Sequence, residues 1–245
     1  MTPKLTTRLP NGITNAGASQ TMESAGFPDP TWAMVDCDDY LAFDAALYTV
    51  TLVGTGTFLG AAAAGGTAIL TTTAAAVDAV YVQRTAACFQ LIPGKDTFFK
   101  FAATIPDRLL TTLYMGLIAT TATPLAPSDG LYLVKAAASA TLSLVHVVGG
   151  VSTSYPLPAS LTLTNAVAFE LGIHVTPSGT VEVYFNPTTG ANVINGASGA
   201  TRGPVLTLTG VTLTQALLSP SYGILNSTAV ANTAVVDYIV AASHR

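Results

Sequence analysis

From residue 45 onward the chain is cut into about a dozen short segments rich in Val, Thr, Leu and Ile, spaced roughly 8–15 residues apart. Glycine, proline and Ser/Asp/Asn clusters close them. "TFFKFAATI" stops at Pro106-Asp107, and "VYVQRTAACFQLI" stops at Pro93-Gly94. Proline cannot donate to a sheet ladder and glycine takes backbone conformations that other residues resist, so such breaks bound strands. "GLYLVKAAASATLSLVHVV" reads as two strands around a small-residue turn, ending at Gly149-Gly150. The strongest hairpin is "AFELGIHVT", Pro177-Ser178-Gly179, "TVEVYFN", in which Val181, Val183 and Phe185 alternate with Glu182 and Tyr184. No amphipathic stripe of helical period is present, and "AAAVDAV" is predicted to make at most one short helical turn. There is no internal repeat. The pattern predicts an all-β protein with two packed antiparallel sheets, a β-sandwich or jelly roll.

The 245 residues suffice for one large all-β domain or two small domains, and half of them are hydrophobic. Only 9% are charged, against about 25% in ordinary soluble domains. The surface must therefore be built from Thr, Ser, Ala, Gly and Asn, which suits a protein covered by neighbours. A net charge of −4 with no Lys/Arg cluster argues against nucleic acid as a partner. "LGAAAAGGTAILTTTAAAV" is broken by glycine and threonine, so no membrane span is expected. Lys4 and Arg8 have no apolar run behind them, so no targeting segment is read. Cys37 and Cys88 do not form a metal pattern; a disulfide is open, and two small buried side chains are the favoured reading.

Residues 1–45 differ from the rest, with Pro3, Pro10, Pro28 and Pro30 and little alternation. They are read as an extended N-terminal arm, and 46–245 as the β-sandwich domain. Thirty extended residues reach roughly 100 Å. The segment is either a disordered tail or an arm that orders on a neighbouring subunit. In the second case, prolines lower the ordering cost because their φ is already fixed. The candidate interaction residues are Lys4, Arg8, Pro10, Asn11, Gly12 and Trp32, with Leu5 and Leu9 as apolar anchors.

Residues that could carry chemistry are sparse. Hydrolysis of a glycosidic bond needs two carboxylates flanking it, and on a strand these would sit at i and i+2. Glu170 and Glu182 are each the only acid in their segment, and Glu182 is expected to face solvent. His146 ("SLVHVV") and His174 ("LGIHVT") lie in strands and read as satisfied structural histidines; His244 is third. No nucleophile elbow or phosphate-cradling loop precedes a helix. Asp36, Asp38, Asp39 and Asp44 crowd "DCDDYLAFD", oxygen ligands of the kind calcium takes, but without EF-hand spacing. They read as a solvated acidic turn. Asn226-Ser227-Thr228 matches a glycosylation sequon with nothing pointing to a secretory route. A sugar site would need exposed aromatics, for which Tyr155, Tyr184, Tyr222 and Trp32 are the candidates. No catalytic residue, metal or cofactor is expected.

The sequence closes on "TAVVDYIVAASHR", an apolar strand holding Asp237. Strict alternation puts Val236, Tyr238 and Val240 on one face and Val235, Asp237 and Ile239 on the other. The strand is expected to return beside the first strands, with Asp237 as a hydrogen-bonded brace.

From about Asp39 to Arg245, the order of features resembles virion proteins of tailed bacteriophages that have a concanavalin A-like (laminin G-like) sandwich. "DDYLAFDAALYTVT" is similar to their opening strand, and "TAILTTTAAAVDAVYVQ" to their Gly-and-Thr strand with an apolar one after it. "PGKDTFFKFAATIPD", "MGLIATTATPLAPSDGLYLVKAAASATLSL", "AFELGIHVTPSGTVEVYFN" and "VVDYIVAASHR" resemble later blocks in the same order. "KLTTRLPNGITNA" also resembles openings of phage structural proteins. The resemblance implies a head decoration (cement) protein on the outer capsid surface. It would be made in the host cytoplasm, partnered by the major capsid protein and by itself as a homotrimer. A receptor- or carbohydrate-binding module of a head or tail fibre is the alternative, and a polysaccharide-degrading enzyme is disfavoured by the carboxylates.

Overall fold

The computed structural model of the protein describes residues 32–38, 44–60, 66–75, 77–121, 123, 126–139, 141–186 and 204–244. Its strands in chain order are β1 (Trp32–Asp38), β2 (Tyr48–Val53), β3 (Thr57–Leu59), β4 (Ala68–Thr72), β5 (Ala79–Arg84), β6 (Thr97–Thr104), β7 (Thr111–Ile118) and β8 (Gly130–Lys135). Then follow β9 (Leu142–Val148), β10 (Val151–Pro156), β11 (Ala168–Val175), β12 (Val181–Asn186), β13 (Leu206–Leu208), β14 (Ser219–Asn226) and β15 (Asn232–His244). One sheet runs β13-β12-β11-β6-β15-β4-β3, with β1 also paired to β15; the other runs β10-β9-β8-β7-β14-β5-β2. The ladders are antiparallel, as the alternating sequence predicts. The helical element among the described residues is one 3-10 turn, Ala45–Leu47, capped by Asp44, which accepts from the Ala46 N–H at 3.0 Å.

Alternation turns one face of each sheet inward. Phe99 and Phe101 of β6 and Leu171 and Ile173 of β11 meet Leu113 and Met115 of β7 and Leu131 and Leu133 of β8. The β11–β12 hairpin forms as its sequence dictates. Val181 and Val183 enter this core, and the Gly179 N–H donates to Thr176 O at 2.8 Å across the turn. The β9–β10 hairpin turns on Gly149 and Gly150, with φ of 55° and 81°. Two positive φ values in succession suit the right-handed twist of the strands and are cheap only for glycine.

Three expectations change. First, "AAAVDAV" makes a turn rather than helix, because Asp78 organises it. The Asp78 carboxylate accepts from the N–H groups of Thr55 (2.8 Å), Gly56 (3.2 Å) and Thr73 (2.6 Å) and from the Thr73 hydroxyl (2.8 Å). Burial alone would raise its pKa, yet the hydrogen bonds from Thr73, Thr55 and Gly56 outweigh it and hold the pKa below the usual carboxylate value. Second, Trp32–Asp38, assigned to the arm from sequence, is a strand. β1 lies beside β15, with Cys37 opposite Val240 and Asp38 opposite Ile239. The closing strand thus returns beside the first, as expected.

Third, the two faces of β15 are not those of strict alternation. Val236 sits opposite Ala103 and Tyr238 opposite Ala102, so Asp237 is an extra residue, a β-bulge. A bulge flips the parity of everything after it. Ala234 and Val236 face the core before it, and Ile239 and Ala241 after it, while Tyr238 and Val240 face outward. Asp237 is half-buried at the bulge, and Asp78 is a second, fully buried carboxylate that braces the fold.

Candidate functional site

With Phe99, Phe101, Leu171, Ile173, Val181 and Val183 inward, their sequence neighbours must line the outer face of the same sheet. Register then assembles what the sequence keeps apart. His174 lies opposite Glu182 on one side and Phe98 on the other. Its Nδ1 is 3.0 Å from Glu182 Oε2 and its Nε2 is 2.8 Å from Asp96 Oδ1. The imidazole stacks on Phe98 at 4.2 Å between centroids, with 4° between planes. The Tyr184 hydroxyl donates to Glu182 Oε2 at 2.8 Å. Burial, and then the Glu182 carboxylate, push its pKa well above that of a free phenol. Further along the band, the Tyr238 hydroxyl donates to Glu170 Oε1 at 2.6 Å, and the Lys100 ammonium lies 3.4 Å from the same oxygen and 5.2 Å from the Tyr238 ring centroid.

These groups are tied to one another by hydrogen bonds and, at Glu170, by the Lys100 ammonium. Glu182 and Glu170 face the same side, but the Gly172–Tyr184 pair lies between them along the ladder. Each accepts hydrogen bonds from its own partners. A glycosidase pair instead faces a shared substrate gap with one acid free to donate a proton. The expectation that Glu182 points freely into solvent is corrected: it is tied to His174 and Tyr184. His174 is a satisfied histidine, as expected.

The outer face of the other sheet carries a diagonal of tyrosines that the sequence analysis did not single out. Tyr81 and Tyr114 flank Gly223, and Tyr132 lies beside Gly116. The ring centroids are 6.1 Å apart for Tyr81–Tyr114 and 6.2 Å for Tyr114–Tyr132. A Cβ on Gly223 would sit 2.7 Å from Val80 O and 2.4 Å from Cδ1 of the Tyr81 ring, so the glycine makes room for the aromatic. Burial, and then Tyr132, raise the Tyr114 pKa to about 12.

The predicted interaction residues Lys4, Leu5, Arg8, Leu9, Pro10, Asn11 and Gly12 lie outside the described residues. Trp32 opens β1, paired with His244. Of the sugar-site aromatics, Tyr222 is corrected: it is 2% exposed, with its ring 5.7 Å from that of Phe101 in the core. Tyr155 is half-buried against the core, and Tyr184 is engaged by Glu182. Asp44 is a cap, Asp36 and Asp38 belong to β1, and Asp39 lies outside the described residues. Among the described residues, no group of three His, Cys, Asp or Glu could hold a metal, and no helix is long and apolar enough to cross a membrane. Cys88 is half-buried against the main core.

This arrangement of two antiparallel sheets is a concanavalin A-like sandwich. The chain is similar to the endo-1,3-beta-glucanase of Streptomyces sioyaensis (TM-score 0.59, 10% identity, covering 87% of this chain and 96% of that one). It is also similar to the exoplasmic/lumenal domain of VIP36 in its Ca2+/Man3GlcNAc-bound form (TM-score 0.57, 10% identity, 84% and 86% covered). Peanut lectin matches at a TM-score of 0.52 and 9% identity, with 86% and 97% covered. At such identities the likeness is one of fold. No protein-family model matches the sequence, and no curated protein does.

Proposed function

We propose that the chain is a non-catalytic structural protein of a tailed-bacteriophage virion, a decoration protein that binds the outer capsid surface and links neighbouring subunits. The observation that carries this reading is where the phage-like motifs fall. "PGKDTFFKFAATIPD" is a turn plus β6, "GLYLVK" is β8, "AFELGIHVTPSGTVEVYFN" is the β11–β12 hairpin and "VVDYIVAASHR" is β15. The resemblance thus follows successive elements of a single sandwich rather than scattered peptides. The engagement of Glu170, Glu182 and Asp96 by hydrogen-bonding neighbours supports a non-catalytic role. The sparse charge of the chain supports a surface met by neighbours, and repeated weak contacts on a symmetric shell would add as avidity. A homotrimer fits closed symmetry at such a site.

The test is binding of the full chain, and of a chain lacking residues 1–31, to capsids that lack the protein. The deletion stops before Trp32 because β1 is part of the sandwich. Co-sedimentation of the full chain is expected, with loss of binding in a truncated chain that keeps its melting temperature. A full chain that does not bind overturns the decoration reading; a truncated chain that binds equally well overturns the arm's role alone.

A carbohydrate-binding module is the second reading. It is supported by the fold shared with peanut lectin and with the VIP36 domain solved with Man3GlcNAc. Binding to immobilised glycans, without capsid binding, would favour it.

A further inference from the structure

Where β10 and β13 form the same open side of the sandwich, the sheets part around a cleft of about 350 Å³. One wall is the inward face of the β9–β10 hairpin, where the cross-strand pairs are His146–Thr153 and Val148–Val151. Leu142 and Leu144 occupy the preceding inward positions of β9 in the core, so His146 takes the next place in that row. The other wall is residues 208–212, which contribute Leu208, Thr209, Val211 and Thr212.

His146 is 6% exposed, and its Nε2 has no hydrogen-bond partner. A buried nitrogen left unpaired costs roughly 1–3 kcal/mol, a cost that a ligand hydroxyl would remove once a small turn of the ring brings Nε2, which has under 1 Å² of accessible surface, to the cleft. Burial holds the imidazole below its ordinary pKa, against the opposing pull of the Asp129 carboxylate. It is therefore neutral near pH 7.

The cleft is also held in shape. Asp129 Oδ1 accepts from the Thr214 hydroxyl at 2.5 Å and from the Gly149 N–H at 3.2 Å, tying the segment after one wall to the turn of the other. The Gly150 N–H adds a bond to Ser128 O at 2.7 Å. A preformed cleft spares a ligand the cost of ordering its walls.

Among the described residues, no charged side chain lines the cleft. The lining pairs aliphatic surface and the aromatic Tyr155 with threonines and one neutral imidazole. A carboxylate or ammonium ligand would find no countercharge there, and a hydrocarbon would leave the imidazole nitrogen unpaired. A pyranose ring offers both C–H faces and hydroxyls, and a cleft of this size lies at the small end of ligand sites. We propose that the cleft between β10 and β13 binds a single uncharged sugar residue through a hydroxyl bonded to His146 Nε2. The ligand class rests on the carbohydrate reading above; the location does not.

The experiment uses the full chain and the methyl glycosides of glucose, galactose, mannose and N-acetylglucosamine, with glucuronic acid as a charged comparison. Nitrogen-15 spectra of the imidazoles follow binding, and three histidines keep them readable. At least one neutral glycoside should shift the His146 ring nitrogens and leave those of His174 unmoved. His146→Leu should weaken binding about tenfold or more, the loss of one buried hydrogen bond. Thr153→Trp, at an exposed edge-strand position, should block the mouth without touching the core, so the test survives a folding defect in the first variant. Glycoside binding that neither variant weakens would overturn this site and leave the carbohydrate reading standing. No binding by any glycoside would overturn both, and tighter binding of glucuronic acid would overturn the neutral-ligand assignment.

Discussion

Asp78→Asn isolates the most heavily used carboxylate in the fold. Asp78 is 1% exposed. Its Oδ1 serves Thr55 and Gly56 and its Oδ2 serves both donors of Thr73. Asparagine keeps one acceptor oxygen, so one pair of donors must face an NH2 group instead. The less damaging orientation places that group toward Thr73, because the Thr73 hydroxyl can turn to Thr55 Oγ1, 2.9 Å away. The Thr73 N–H then loses its acceptor outright, and the remaining bonds lose their charge assistance. Hydrogen bonds to charged groups contribute about 1.5–3 kcal/mol each, so the variant should lose about 3 kcal/mol. In a chain of this size that is a drop in melting temperature of about 6–12 °C. Urea unfolding at pH 7, followed by circular dichroism, should show a lower midpoint with an unchanged slope. The pH dependence supplies a second reading. The folded pKa of Asp78 is depressed, so its contribution is fully present above the unfolded value of about 3.9 and is lost as pH falls through the folded value. Wild type and variant should therefore converge in acid. A loss under about 1 kcal/mol at pH 7, or a gap that does not narrow as pH falls below about 3.9, would refute the assignment of these four bonds.

Two further substitutions probe the sheets. Gly223→Ala places a methyl group against Val80 O and the Tyr81 ring; a loss of about 2 kcal/mol or more is expected in thermal unfolding, with altered near-ultraviolet tyrosine dichroism. Lys135 is fully buried, donates to the Arg108 carbonyl, and has its pKa brought down to about 8 by desolvation. The unfolded chain then holds the extra proton between about pH 8 and pH 10, so wild-type stability should rise with pH across that window. Lys135→Met should flatten the rise in a melting-temperature profile; a wild-type profile already flat there would contradict the buried ammonium.

What the sequence made legible was whatever depends on neighbours in the chain. The β11–β12 hairpin could be read because Val181, Val183 and Phe185 repeat with period two after a glycine-containing turn. The second half of β15 could not, because a bulge adds one residue without changing composition. Asp237 stands out as an acid among apolar residues, but that it is the extra residue shows only in the register to Ala103 and Ala102. The role of Asp78 stayed hidden because two of its donor residues lie more than twenty positions upstream in a turn. The His174 cluster and the tyrosine diagonal depend on cross-strand register, which joins Asp96, His174 and Glu182, and sets Gly223 between Tyr81 and Tyr114. His146 was read as a satisfied strand histidine; the strand is there, but among the described residues its Nε2 has no partner, which emerges only once residues 208–212 are placed opposite it.

The pairing of β1 with β15 also governs how a foreign peptide could be displayed on this protein. Because Trp32 lies opposite His244, a peptide appended after Arg245 would leave the sandwich at the corner where the chain enters it. If residues 1–31 grip a capsid, such a cargo would be pressed toward the shell. The segment 227–231 lies at the far end of β15, thirteen residues away, or roughly 40 Å along an extended strand. An epitope inserted there would stand clear of the attachment corner, and the same position would suit a fluorophore for measuring occupancy without disturbing it.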